Sequence, residues 1–188
     1  MIKRLSPLML ILNLTVQLCF CQETDVWDTA DSLTLRLPAT AFHSLPGNIS
    51  RYLVKNGYTI PQCWEIPEVH NVISGAFQQK GRRDCAVLAS KNRVSSILVF
   101  WGGSESNLTV IETAPDKDYL QGIGDGKIGF SRAISPVGKA YIIEHFRRYG
   151  GPKPPPIDHD GIDDAFVGKA SLVFYYYRGQ WLTLTGAD

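Results

Sequence analysis

The sequence is short of net charge, of catalytic signatures and of cysteine, and each shortage narrows what the protein can be. Its 19 lysines and arginines are balanced by 18 aspartates and glutamates, which leaves a formal net charge of +1. Nucleic acids and anionic membranes attract proteins through clustered positive charge. The charge balance therefore argues against nucleic acid as a partner. With 44% hydrophobic residues, the chain is otherwise able to bury a core.

Known catalytic and nucleotide-binding motifs are missing from the chain. It has no G-x-S-x-G elbow, no H-E-x-x-H pair, no P-loop and no G-x-G-x-x-G that opens a helix. The four histidines are far apart in sequence, at His43, His70, His145 and His159. Nothing in the sequence singles out a nucleophile. These absences favour a non-catalytic protein.

Cysteine is scarce, and its placement leaves two alternatives open. Two of the four cysteines fall within the first 21 residues, so Cys63 and Cys85 are the pair that remains beyond them. A disulfide between them would close a loop of about twenty residues and stabilise the fold by roughly 3 kcal/mol. Two buried thiols fit the sequence equally well, because spacing alone does not fix the positions of the Cβ atoms.

The N-terminal residues have the three-part pattern of a secretory signal peptide. Residues 1–4 are basic, residues 8–18 are mostly apolar, and an acidic stretch begins at residue 22. A membrane-spanning helix needs about 20 apolar residues, so the apolar run is short for a span. We therefore predict a signal peptide over residues 1–21 and export to a periplasmic or secreted location, with no membrane span after cleavage. A retained anchor and lipidation at Cys19 or Cys21 are the alternatives.

The remaining residues, 22–188, predict a single β-rich domain of the α+β class. A helix is expected over residues 44–57, since apolar residues recur there at helical spacing and Gly57 suits the C-terminal end. The chain that follows predicts strands at 72–77, 85–90, 95–101, 108–113, 128–134, 140–145, 172–177 and 180–184. Short joints between several of them indicate an antiparallel meander. The proline-rich stretch at 150–156 is predicted to be a stiff loop within the same domain.

One loop carries a resemblance to a known repeat family. The spacing in residues 77–88 resembles a loop-and-strand unit of the FG-GAP or integrin-α-like family, through Phe77, Gly81, Asp84, Ala86 and Val87. In that family the loop chelates calcium through alternating oxygen-bearing side chains. Those positions are occupied here by Ala76, Gln78 and Lys80. We therefore predict a structural loop, in which Gly81 makes the turn and Asp84 accepts hydrogen bonds.

A second segment matches the same pattern with more carboxylates. Residues 156–164 supply Asp158, Asp160 and Asp164 around Gly161. The resemblance implies a weak calcium site formed by these three aspartates. The alternative is that the segment is rich in Asp and Gly simply because both residues form turns.

The function predicted from the sequence is a non-catalytic, extracytoplasmic module that binds a ligand or a protein. More broadly, the chain from about residue 57 onward resembles uncharacterised bacterial exported proteins, which implies a location but no activity. A second hypothesis is a secreted hydrolase in which His159 acts as a base beside Asp160 or Asp164, since a neighbouring carboxylate favours the imidazolium. A third is a structural or inhibitory exported protein that uses the loop at 150–156.

Overall fold

Two antiparallel β-sheets lie face to face, and a helix covers the outer side of each. The computed structural model describes residues 25–187, so the predicted signal peptide lies outside the described residues. The helices are α1 (Val26–Leu33), α2 (Gly47–Lys55) and α3 (Lys139–Tyr149). The strands are β1 (Arg36–Pro38), β2 (Thr59–Pro61), β3 (Val72–Gly75), β4 (Asp84–Lys91), β5 (Val94–Phe100), β6 (Leu108–Pro115), β7 (Leu120–Gly122), β8 (Ile128–Phe130), β9 (Arg132–Val137), β10 (Gly161–Phe166), β11 (Ala170–Tyr177) and β12 (Gln180–Thr185).

The strands form two main sheets and one small hairpin. The six-stranded sheet has the order β1-β2-β4-β5-β6, and β3 pairs with the same edge of β4 as β2. The four-stranded sheet is a meander of β9, β10, β11 and β12 in sequence order. Strands β7 and β8 pair only with each other. Every pairing among the described strands is antiparallel, as the short predicted hairpins require.

Three apolar clusters hold the layers together. The central cluster lies between the two sheets and contains Phe77, Leu88, Ile97, Ile134, Ile162 and Phe174 among others. The second packs Ile49 and Leu53 of α2 on the other face of β4 and β5. The third packs Ile142 of α3 on the four-stranded sheet. Strands β4 and β5 are therefore covered on both faces, which explains why their sequences are nearly continuous apolar runs.

Two of the predicted hairpin joints have the backbone conformation that tight turns demand. Asn92 and Arg93 connect β4 to β5 with φ of 53° and 60°, and Arg178 and Gly179 connect β11 to β12 with φ of 50° and 86°. Positive φ at both central residues is the mark of a type I′ turn, whose twist matches that of paired strands. These two local signals were sufficient to place their hairpins.

The helices depart from the sequence prediction of one helix followed only by strands. Helix α2 lies within the predicted segment 44–57, but α1 precedes it and α3 interrupts the strand series. The prediction of a strand at 140–145 is wrong, because these residues lie in α3, where only Ile142 is fully buried. A run of two isoleucines beside a tyrosine suits either element, and packing on the sheet decided for the helix. None of the helices within residues 25–187 is long and apolar enough to cross a membrane.

Candidate functional site

Asp164, a predicted calcium ligand, instead forms an ion pair with Arg132 of the neighbouring strand β9, on the face of the four-stranded sheet that packs against the six-stranded sheet. Both of its carboxylate oxygens accept hydrogen bonds from Arg132, each at 2.8 Å. Arg132 is fully buried, donates also to Ser95 Oγ at 3.1 Å, and stacks on the Tyr119 ring at 4.3 Å. Burial opposes the charge on Arg132, yet its hydrogen bonds to Asp164 prevail and its pKa lies above the ordinary value. Asp164 is therefore a structural partner of Arg132.

The other two predicted calcium ligands have separate partners. Asp160 Oδ2 accepts from the backbone N–H of Ala76 at 2.8 Å, and Asp158 is 77% exposed and accepts from the Tyr175 hydroxyl at 3.2 Å. Within residues 25–187, no group of three or more His, Cys, Asp or Glu side chains is arranged to hold a metal ion. The structure therefore does not bring Asp158, Asp160 and Asp164 together around one cation.

His159 lacks the arrangement that the hydrolase hypothesis requires. Its ring stacks on Tyr175 with centroids 4.3 Å apart and planes 9° from parallel. Its Nδ1 lies 3.1 Å from the backbone oxygen of Asp160, and its Nε2 lies 3.8 Å from Asp158 Oδ1. The carboxylates of Asp160 and Asp164 are bonded elsewhere, so neither of them orients this imidazole.

The loop that resembles an FG-GAP unit is organised by Asp84, as predicted. Asp84 Oδ2 accepts from the backbone N–H groups of Phe77 and Gln78, both at 3.1 Å, and Oδ1 accepts from that of Gly102 at 2.7 Å. Gly81 makes the turn with φ of 82°. The prediction of a structural loop is confirmed, because the buried carboxylate is saturated by donors of the chain itself.

The two cysteines of the described chain are free and buried. Cys85 packs in the cluster between α2 and the six-stranded sheet, and its burial raises the thiol pKa to about 12. Cys63 follows β2 and lines a surface groove, and burial raises its pKa as well. Of the two alternatives, the structure has the pair of thiols.

A further polar cluster lies under α3. Asp163 Oδ1 accepts from the Tyr141 hydroxyl at 3.0 Å and from Ser171 Oγ at 2.7 Å, and Ser171 Oγ accepts from the N–H of Ala187 at 2.7 Å. Burial raises the pKa of Asp163, which these hydrogen bonds only partly oppose. Each group is occupied by another residue of the chain, so the cluster secures the C-terminal residues against β11.

One concave feature of the surface is an apolar groove beside α1. It has a volume of about 410 Å³ and lies between α1, β1, the loop after β2 and the β7–β8 hairpin. Its lining is mostly apolar, and includes Ala30, Leu33, Leu35, Leu37, Trp64, Ile66, Val69, Ile123, Ile128 and Phe130. Glu68 is the one charged residue of the lining. We call this feature the apolar groove.

The rim of the apolar groove leaves large hydrophobic side chains in solvent. Leu33 is 78% exposed, Leu35 60%, Val69 61% and Trp64 45%. Solitary exposed hydrophobics are ordinary on a protein surface, whereas several around one concavity indicate a binding surface. Four of the ten exposed large hydrophobic side chains among the described residues thus lie around this one concavity.

Helix α1 forms one wall of the groove and is held there by buried charge. Its carboxylate Asp31 pairs with Arg36, whose guanidinium also donates to Asp116 Oδ2 at 2.7 Å. Ser90 Oγ donates to the same oxygen at 2.6 Å, and Arg93 approaches Asp31 at 3.4 Å. Asp31 is the one buried residue of α1, whereas Trp27 and Leu33 are exposed.

The opposite wall depends on Trp64 and on a glycine. Trp64 donates its backbone N–H to the Phe130 oxygen at 2.9 Å. Its indole lies so close to Gly129 that a Cβ there would stand 2.8 Å from the ring. Gly129 is therefore required for the close approach of the indole to β8. The sequence offered one signal for this wall, a stretch with Trp64, Ile66 and Val69 that belongs to no predicted strand.

The loop from residue 62 to residue 70 is tied by its own side chains. Gln62 accepts from the backbone N–H of His70 at 3.0 Å and donates to the His70 oxygen at 3.2 Å. His70 Nε2 lies 2.7 Å from the Cys63 nitrogen, and its Nδ1 lies 2.8 Å from the Glu68 oxygen. Asn71, at φ 71°, continues the tie by donating to the Pro61 oxygen at 2.7 Å. These contacts fix the loop that carries Trp64 to Val69.

Comparisons of the chain with models of protein families, with curated proteins and with solved structures find no match. The function must therefore be argued from the geometry of the groove.

Proposed function

We propose that the protein is a non-catalytic extracytoplasmic module that binds an uncharged, mainly apolar small molecule in the apolar groove. The observation that carries the proposal is the concentration of exposed hydrophobic side chains, Leu33, Leu35, Trp64 and Val69, around one concavity. Ligand sites are typically concave and lined by apolar and aromatic side chains. Export rests on the pattern of residues 1–21.

The size and chemistry of the groove favour a small molecule over a protein partner. Its volume of about 410 Å³ lies within the range of about 300–1,000 Å³ typical of small-molecule sites. Transfer of apolar surface from water contributes about 25 cal/mol per Å². A ligand that covers the exposed rim therefore gains affinity without any ionic contact. The lone carboxylate of Glu68 offers no partner to an anion.

The side chains that could act in catalysis are engaged by other residues of the chain, which supports a non-catalytic function. Asp84, Asp163 and Asp164 each accept hydrogen bonds from other residues of the chain. His159 stacks on Tyr175, its Nδ1 faces the backbone oxygen of Asp160, and the exposed carboxylate of Asp158 lies 3.8 Å from its Nε2. Catalytic groups are ordinarily presented to a cleft. The groove contains no such group apart from Glu68 and the thiol of Cys63, whose pKa is raised by burial.

The proposal is tested by titrating the chain from residue 22 onward with the uncharged dye N-phenyl-1-naphthylamine. We expect fluorescence enhancement with saturable binding, and Trp64→Ala and Leu33→Asp variants whose affinity falls at least about tenfold, which corresponds to about 1.4 kcal/mol. The matched control is Val110→Asp, since Val110 is 53% exposed and lies on β6, outside the groove.

Two results would overturn the proposal. Failure of the wild-type chain to bind the dye would remove the apolar groove as a ligand site. Equal affinity of Leu33→Asp and Val110→Asp would show that the dye binds elsewhere. Urea unfolding of each variant separates loss of binding from loss of fold, because exposed positions change stability by only about 0.5 kcal/mol.

A further inference from the structure

A proton on His70 determines whether one of the contacts that fix the loop of residues 62–70, a wall of the apolar groove, can form. Its ring bridges two backbone groups of the loop, the N–H of Cys63 at one nitrogen and the carbonyl of Glu68 at the other. The residues between these two groups include Trp64, Ile66 and Pro67, which line the groove. The imidazole therefore links the two ends of the segment from Cys63 to Glu68.

The two contacts fix the tautomer of the ring. A backbone N–H is only a donor, so His70 Nε2 must accept from Cys63 at 2.7 Å. The Glu68 oxygen is only an acceptor, so Nδ1 must carry the proton that it receives at 2.8 Å. Both bonds can form only while the imidazole is neutral.

Protonation removes one of the two bonds. An imidazolium carries hydrogen on both nitrogens, so its Nε2–H would face the N–H of Cys63, donor against donor. Imidazole is the side chain whose ordinary charge change falls between about pH 5 and pH 8. On protonation the Cys63 contact would be lost, while the Nδ1 contact to Glu68 is retained.

No ion pair to a described carboxylate would offset the loss of the Cys63 hydrogen bond when His70 is protonated. The other titratable side chains of the loop are Cys63, Glu65 and Glu68, and none of the described carboxylates lies within 4.0 Å of a His70 ring nitrogen. On the other side, the neighbouring Asn71 contacts the backbone oxygen of Arg132 at 3.3 Å. The guanidinium of Arg132 is engaged by Asp164.

We propose that His70 makes ligand binding in the apolar groove dependent on pH, with release on acidification. Neutral His70 braces the loop of residues 62–70 between Cys63 and Glu68. The imidazolium loses the Cys63 contact, which loosens the loop beside Trp64 while the backbone bond from Trp64 to Phe130 remains. The inference rests on the proposed function and adds the regulation of the same site. In an exported protein the control signal is the pH of the surrounding medium.

The test measures the affinity for N-phenyl-1-naphthylamine from about pH 7.5 to pH 5, the range in which imidazole titrates. We expect the wild-type affinity to fall about fivefold, the equivalent of one hydrogen bond. A His70→Gln variant retains an acceptor oxygen that can face Cys63 but cannot be protonated, so its affinity should stay constant. The matched control is His43→Gln, because His43 is exposed and lies outside the groove, and it should keep the wild-type fall.

The outcomes separate this inference from the proposed function. Absence of dye binding at every pH would refute the ligand site itself. Binding that is equally tight across the range, or that falls equally in His70→Gln, would refute the switch and leave the ligand site standing.

A second measurement does not depend on the variant. The protection factor of the Cys63 amide in hydrogen exchange, corrected for the intrinsic effect of pH, should decrease in wild-type protein on acidification. An amide that is equally protected at both ends of the range would contradict the loss of its bond to His70.

Discussion

Two regions of the molecule differ in how clearly a sequence motif marks them and in how many of their side chains the fold leaves in solvent. The segment from Asp158 to Asp164 stands out in the sequence through its four carboxylates, yet all four accept hydrogen bonds from the chain. The apolar groove has no motif, yet Leu33, Leu35 and Trp64 remain in solvent around it. The comparison teaches that a candidate site is identified by what the fold leaves unsatisfied, which residue type alone does not reveal.

The contrast is sharpest at two neighbouring residues of β10. Side chains alternate across a strand, so Asp163 and Asp164 point to opposite faces of the four-stranded sheet. Asp164 meets Arg132 between the sheets, and Asp163 meets the Tyr141 hydroxyl of α3. One carboxylate has a cation as its partner and the other has only hydroxyl donors. Their substitutions should therefore have different consequences.

The largest expected effect is that of Asp164→Asn. It leaves the fully buried guanidinium of Arg132 without a counter-charge, and breaking such a pair typically costs about 3–5 kcal/mol of the free energy of unfolding. Urea denaturation measures the loss. The matched control is Asp158→Asn, since Asp158 is largely exposed and should change the free energy by no more than about 0.5 kcal/mol. Equal effects of the two variants would mean that the buried ion pair does not stabilise the fold.

A smaller effect with a defined pH dependence is expected for Asp163→Asn. Burial raises the pKa of Asp163 above its ordinary value of 3.8, so the folded state binds a proton more tightly than the unfolded chain. The free energy of unfolding that this group contributes therefore rises as pH falls through the raised pKa toward 3.8 and is lost as pH rises again.

Asparagine keeps the acceptor oxygen for Tyr141 and Ser171 without the charge. Near pH 7 we expect the variant to be as stable as wild type or up to about 1 kcal/mol more stable, and this advantage should shrink on acidification. Urea denaturation near pH 7 and near pH 4 provides the check. An advantage that grows at low pH would reverse the assigned direction of the pKa.

The smallest expected effect concerns calcium. Because the structure does not bring Asp158, Asp160 and Asp164 together, the midpoint of thermal unfolding should be the same with calcium and with excess chelator. A site occupied at one hundred times its dissociation constant would add about 2.7 kcal/mol and move the midpoint by several degrees. A rise with calcium that Asp160→Asn abolishes would show that this segment does form a calcium site.

Local signals in the sequence determined those features whose energetics are local. The turns at Asn92-Arg93 and Arg178-Gly179 lie where strand periodicity and turn residues predict them, because positive φ is a property of a few adjacent residues. The loop closed by Asp84 followed for the same reason, since its backbone donors at Phe77 and Gln78 lie within seven residues. The mainly β composition and the antiparallel pairing also needed only the pattern of alternating and continuous apolar runs.

The tertiary structure alone decided the features that depend on distant residues. Arg132 is 32 residues from Asp164, and Asp116 is 80 residues from Arg36. No local sequence pattern could predict either ion pair. The strand predicted at 140–145 became α3 because the four-stranded sheet offered a surface for Ile142. The apolar groove arises where α1, the loop of residues 62–70 and β8 meet. Its walls are far apart in sequence, and its exposed side chains can be recognised only after folding has buried the others.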